Sequence, residues 1–127
     1  MLIFNHPWIE LPEFYKIKSI EDIINTPSNS IVFIEDLSKN IEIIKHCQRN
    51  LVLFTLEVNS IKDAIFANLL GAKYIIVSKE LSKELMPIAQ NYLFDTQVLV
   101  QISGENEIEE MAKVGVDGVI LNKLQKR

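Results

Sequence analysis

Cysteine is almost absent from this chain: Cys47 is the only one in 127 residues. A lone thiol closes no intrachain disulfide, so packing must hold the fold, as is usual in a reducing compartment. Histidine is nearly as scarce. His6 and His46 are the only two, and neither stands in a cluster with zinc-ligand spacing. His46 adjoins Cys47, but neighbours on a helix point about 100° apart and share no face, so a Cys-His nucleophilic pair is not expected there. Cys47 reads instead as a small core residue. Basic residues are outnumbered, 13 Lys and Arg against 17 Asp and Glu for a net charge of −4. That balance supplies no field to gather a phosphate backbone or an anionic membrane, so nucleic acid and lipid surfaces are not the expected partners. With four glycines, the chain has neither a Walker loop nor a Gly-x-Gly-x-x-Gly turn. No run approaches about 18 apolar residues, and the apolar start at Met1 to Phe4 gives way at once to Asn5, His6 and Pro7. Neither a membrane span nor a secretory signal is read here, and the expected compartment is the cytoplasm.

What is present is alternation. Ile31 to Ile34, Leu51 to Leu56, Lys73 to Val77, Gln97 to Ile102 and Gly118 to Leu121 are short runs rich in Val and Ile, the composition of strands buried on both faces of a parallel sheet. Phe14 to Ile17 is a weaker sixth. Between them lie segments with helical spacing, such as Ile41, Ile44 and Cys47, or Ile108, Met111 and Ala112. Ser19, Ser38, Ser60 and Ser82 stand where N-caps belong, and Gly71 and Gly115 where helices should stop. Pro87 predicts an irregular first turn in the fourth helix. Residues 54–77 repeat without gaps at an offset of 44 as residues 98–121, with Gly71 over Gly115. The reading is one α/β domain, residues 14–127, of five or six mostly parallel strands. A closed (β/α)₈ barrel needs about 200 residues or more, so the sheet is expected to be open or a half-barrel completed by a second chain. Residues 1–13 read as an irregular arm in which Phe4, His6 and Trp8 either cover a sheet edge or anchor a protein partner.

Ligands of parallel βα folds sit at the carboxyl ends of strands. The candidate rim is therefore Glu35, Asp36, Glu57, Asn59, Ser78, Lys79, Gln101, Ser103 and Asn122. Glu35 and Asp36 are expected to be helix N-terminal residues stabilised by the dipole. Glu57 is either the remnant of a site or a structural group, with Lys79 the neighbouring charge. No metal and no cofactor is called for by this set.

Two resemblances bear on the rim. Leu56-Glu-Val-Asn-Ser, Gly71-Ala-Lys-Tyr-Ile-Ile-Val, Ser82-Lys-Glu-Leu-Met, Val98-Leu-Val-Gln-Ile-Ser-Gly and Gly115-Val-Asp-Gly-Val-Ile-Leu resemble, across residues 56–124, the latter half of the quinolinate phosphoribosyltransferase barrel. The resemblance implies acids at strand ends and a Ser-Gly-Gly loop beside a phosphate. Glu57 falls on a family glutamate. Ser78 stands for an aspartate, Gln101 for a glutamate, Glu105 for the second glycine of the loop and Asn122 for a further glycine. No basic substrate-binding segment is found toward the amino terminus, so the family's activity is not expected. More briefly, residues 51–85, with Thr55 and Lys79, look like the closing third of a response-regulator receiver whose metal-binding acids are missing. Phosphoryl transfer without such a cation site has no means of neutralising the developing charge.

The expectation is a binding or assembly module without catalysis of its own, self-associating because a half-barrel leaves edges and an apolar face to cover. The alternative is a phosphorylated-metabolite binding protein or small enzyme using the rim.

Overall fold

Runs in which consecutive residues are apolar are satisfied by burial on both faces, and five runs dominated by such stretches call for a sheet with helices outside it and side chains inside its curl. The computed structural model describes residues 1–121 and has this form. In chain order the elements are β1 (Leu2–Phe4), β2 (Glu13–Lys16), α1 (Ile20–Ile24), β3 (Ser30–Ile34), α2 (Ile41–Arg49), β4 (Phe54–Glu57), α3 (Ile61–Leu69), β5 (Tyr74–Val77), α4 (Lys79–Asn91), β6 (Gln97–Ile102), α5 (Ile108–Val114) and β7 (Gly118–Leu121). All strand pairs are parallel, and the order across the sheet is β1-β7-β6-β5-β4-β3-β2. The four strongest predicted strands lie together as β3 to β6.

Among the described residues the strands number seven, not five or six. The addition is β1, which falls inside the segment read as an irregular arm. Three residues are too few to show a period, but they pair in register with β7, Leu2 opposite Gly118 and Phe4 opposite Ile120. The sheet thus forms a half-barrel whose two edges, β1 and β2, turn toward each other. The rings of Phe4 and Phe14 on those edges lie 4.9 Å apart by centroid, and both meet Tyr74 from the middle of the sheet, at 5.5 and 6.1 Å. With Ile31, Phe33, Ile76, Leu99 and Ile120 they fill the inner face. The second, larger core lies between the sheet's outer face and the helices, where Leu56, Ile75, Val98, Val100 and Val119 meet Ile44, Ala64, Leu85 and Met111. The inner face that a second chain was expected to cover is therefore buried within one chain.

Residues 5–12 join the two edges. Because β1 and β2 are parallel, this connection must return the length of the sheet, and it does so without a helix. Leu11 packs on the inner cluster along the way. Of the three aromatic candidates in the arm, Phe4 is fully buried and the His6 side chain nearly so, while Trp8 is 87% exposed.

Helices α2 to α5 end alike. A backbone bond from the second residue past the turn closes each, Val52 to Cys47, Ala72 to Ala67, Phe94 to Ala89 and Val116 to Met111, at 2.9 to 3.4 Å, the pattern that places the preceding residue in the left-handed region. That residue is Gly71 at α3 and Gly115 at α5, as the sequence predicts, but Leu51 at α2 and Leu93 at α4, with φ of 56° and 55°. A leucine there carries about 1 kcal/mol of backbone strain. At the other ends Ser19 and Ser60 cap α1 and α3 as expected, accepting from Asp22 N and Asp63 N. Ser38 and Ser82 do not cap. Ser38 lies within a 3₁₀ turn, Leu37–Lys39, and α2 starts only after Asn40. Helix α4 leaves β5 with no loop, so Ser78 takes the cap and Ser82 bonds back to the Lys79 carbonyl. Pro87 lies far along α4 instead of in its first turn, and the helix runs through it. Lys83, whose carbonyl loses its helical donor, is exposed, so water can serve it.

Candidate functional site

Strand alternation sorts the carboxyl-end residues into two groups. On β3, Ile31 and Phe33 face inward, so Glu35 follows them into the mouth of the half-barrel; on β4, Thr55 is followed in the same way by Glu57. The register that sets Phe33 beside Thr55 and Ile34 beside Leu56 carries Glu35 next to Glu57. Lys16, at the end of β2 and level with Phe33, reaches Glu35 with Nζ to Oε1 at 3.0 Å. The same parity on β6 gives Leu99 and then Gln101 to the inner side. Thr55 is fully buried, and its hydroxyl has no hydrogen-bond partner.

The second group turns away from the mouth. Lys79 opens α4 on the outer side, where Nζ lies 2.8 Å from Glu107 and 3.4 Å from Glu110, both near the start of α5. Glu107 is the hub of this cluster. One carboxylate oxygen takes Lys79, and the other accepts from the backbone N–H of Ser103 at 2.9 Å and from its hydroxyl at 2.7 Å. The Lys79 ammonium foremost, and then the two Ser103 donors, pull its pKa from the ordinary 4.5 down to about 2; reciprocally the Glu107 bond pushes Lys79 up. Glu107 escapes a search confined to strand ends. Its signal is an acid four residues past a serine at a helix entrance, one residue longer than the spacing of a capping box.

Asp36 and Ser78 hold local structure. Asp36 makes no capping bond, in contrast to the expectation for this acidic pair: its backbone is left-handed, and the carboxylate takes the Ser38 hydroxyl at 3.1 Å and Lys39 at 3.5 Å. Asn40 secures the turn by donating to the carbonyls of Glu35 and Asp36. Ser78 caps α4 through its hydroxyl. Asn59 is exposed ahead of α3, and Asn122 lies outside the described residues. Cys47 is buried in the outer core, and burial pushes its thiol pKa up, away from a reactive thiolate.

The arm reaches the same end of the sheet. His6 Nδ1 accepts from the Trp8 backbone at 3.1 Å, which leaves Nε2 as the donor to Glu105 at 2.9 Å. Asn5 donates to the Leu121 carbonyl at 3.2 Å. An open groove of about 590 Å³ lies beside the rim, between the β2-α1 and β3-α2 connections. Its charged walls balance, Lys18 and Lys39 against Glu21 and Glu42, and it includes none of the rim residues. Among the described residues, no three His, Cys, Asp or Glu side chains come together as a metal site, and no helix is long and apolar enough to cross a membrane.

The depressed carboxylate has a measurable consequence. A group whose folded pKa lies below its unfolded value stabilises the fold above the unfolded pKa and loses that contribution as pH falls through the folded one. The melting temperature of the native chain is expected to drop between about pH 4.5 and about 2, and Glu107→Gln to flatten that part of the curve. Identical acid limbs in calorimetric scans of the two proteins would refute the assignment. Compared with known protein families and with curated proteins, the chain matches none.

Proposed function

We propose that the chain is an α/β binding or assembly module without catalysis of its own, built on a scaffold of the phosphate-binding βα kind. One observation carries this reading. The Ser103 backbone N–H and hydroxyl, the donors a phosphate would use at the end of β6, are bonded to the Glu107 carboxylate, which is itself held by Lys79. A phosphate would have to displace a charge-assisted network and sit beside Glu105 and Glu107. The Lys16–Glu35 pair likewise matches charge within the chain.

A panel of phosphorylated sugars, nucleotides and pyridine carboxylates, each at about 1 mM, tests the reading, because a ligand that prefers the folded state must raise its melting temperature. Shifts below about 1 °C are expected throughout. A reproducible rise of several degrees, saturating with concentration, would transfer the function to the mouth.

That second reading has one observation in its favour. The buried Thr55 hydroxyl is left without a partner on the wall below Glu57, next to the Lys16–Glu35 pair. A polar group kept dry and unpaired costs about 1 to 3 kcal/mol, which a scaffold with no use for it would shed by a change to valine.

A further inference from the structure

The face opposite the mouth is where the chain departs most from what a lone domain requires. Leu51 and Leu93 occupy left-handed positions that α3 and α5 fill with glycine. They gain no packing in return, since they are 90% and 82% exposed. Leu69, the last residue of α3, is 74% exposed, and Leu53 precedes β4 in the open. Helix α3 continues the surface. It buries only Ala64 and Ala67 toward the sheet, while Phe66 and Leu69 point outward, so it is apolar on both sides. Outward apolar residues on a helix whose sheet-facing side is already buried are a surface that a partner can cover.

These segments are neighbours. Gln48 of α2 bonds the Leu70 carbonyl at 2.6 Å, and Asn68 of α3 takes the backbone amides of Asp95 and Thr96 at 3.1 Å. The turns that carry Leu51, Leu69 and Leu93 therefore lie side by side at the end of the fold from which β4, β5 and β6 start, with Leu53 and Phe66 near them in sequence on the same segments. At their fractional exposures these residues present on the order of 600 Å² of apolar surface, comparable to the apolar share of the about 800 Å² per partner that a stable interface covers. The charges at its ends are opposite. Arg49 adjoins the Leu51 turn and Asp95 the Leu93 turn, both exposed.

We propose that this patch is the interface of a two-fold homodimer, which gives the assembly reading above, on which this inference rests, its partner: a second copy of the chain. A two-fold axis through the middle of the patch brings Arg49 of each copy to Asp95 of the other, the reciprocal pairing an isologous interface requires. The sheet edges, where self-association was expected from sequence, take no part.

Sedimentation velocity of the full chain between about 1 and 200 µM tests it. The native chain is expected at twice its 14.6 kDa mass. The double change Leu51→Gly and Leu93→Gly is expected to raise the dimer Kd at least about ten-fold, while the urea midpoint measured on dilute monomer rises or holds, because strain is relieved. Arg49→Asp, an exposed change, is expected to weaken the dimer, and adding Asp95→Arg to restore it. A native monomer at 200 µM overturns the proposal, as does a dimer indifferent to both sets of variants. A monomer with no response to the ligand panel overturns self-association alone, whereas ligand binding at the mouth overturns the assembly reading itself.

Discussion

Phe4→Ala is expected to lower the unfolding free energy by about 3 to 5 kcal/mol, the range for truncating a buried phenylalanine. Phe4 is fully buried, and its ring is the contact between the two edges of the half-barrel, touching Phe14 on β2 and Tyr74 on β5. Truncation removes the transfer free energy of the ring and opens a cavity whose walls belong to three different strands, so the void cannot collapse by one side-chain rotation. Trp8→Ala, four residues along the same arm, is the control. Its larger ring is almost wholly in water, and its loss is expected to stay within about 0.5 kcal/mol. Urea denaturation of both variants decides the matter. A Phe4→Ala loss below about 1 kcal/mol would mean that the edges are held together by something other than this cluster.

Gly118→Ala is expected to destabilise by about 1 to 3 kcal/mol, although alanine for glycine in a strand interior ordinarily stabilises. The sign reverses because of a close approach. A Cβ at residue 118 would lie 2.8 Å from a Leu99 methyl, 2.9 Å from the Leu2 Cβ and 2.9 Å from the Leu2 carbonyl oxygen. The Leu99 side chain can rotate. The Leu2 backbone cannot yield without leaving its register with Gly118. The strain therefore falls on β1, and hydrogen exchange at its amides should accelerate selectively while β4 to β6 stay protected. Uniform exchange across all seven strands, or none of the expected loss in stability, would refute this account.

The strands that sequence reveals are those with nothing polar to confuse the reading. Tyr74–Val77 and Gly118–Leu121 are buried at every position, and they stand out as apolar runs. At the edge, β2 has one buried position in four, with Glu13 and Lys16 at its ends, so half its pattern belongs to solvent and the run is weak. In β1 there is too little chain for any pattern. The gapless repeat was informative because it holds both local and long-range content: β4-α3-β5 and β6-α5-β7 share their plan down to left-handed Gly71 and Gly115. The rim was legible as a set of positions but not as a set of directions. Counting alternate residues past each strand end separates inward Lys16, Glu35 and Glu57 from outward Lys79. Lys16 was missed because its strand is faint. Glu107 belongs to a helix entrance, which no survey of strand ends reaches.

The pairing of β1 with β7 also sets an order of events during synthesis. Asn5 bonds Leu121 across 116 residues of chain, and among the described residues β7 is the strand that β1 lies against. A ribosome therefore releases β1 long before β7 exists. In the interval β2 to β6 can assemble by sequential neighbour contacts, while the apolar Leu2-Ile-Phe segment remains unpaired and the half-barrel stays unsealed. Loop-closure entropy and late arrival both assign this docking to the end of folding. A nascent chain stalled before residue 118 would accordingly keep its inner aromatic surface open to chaperones, and completion of β7 would act as the signal that closes it.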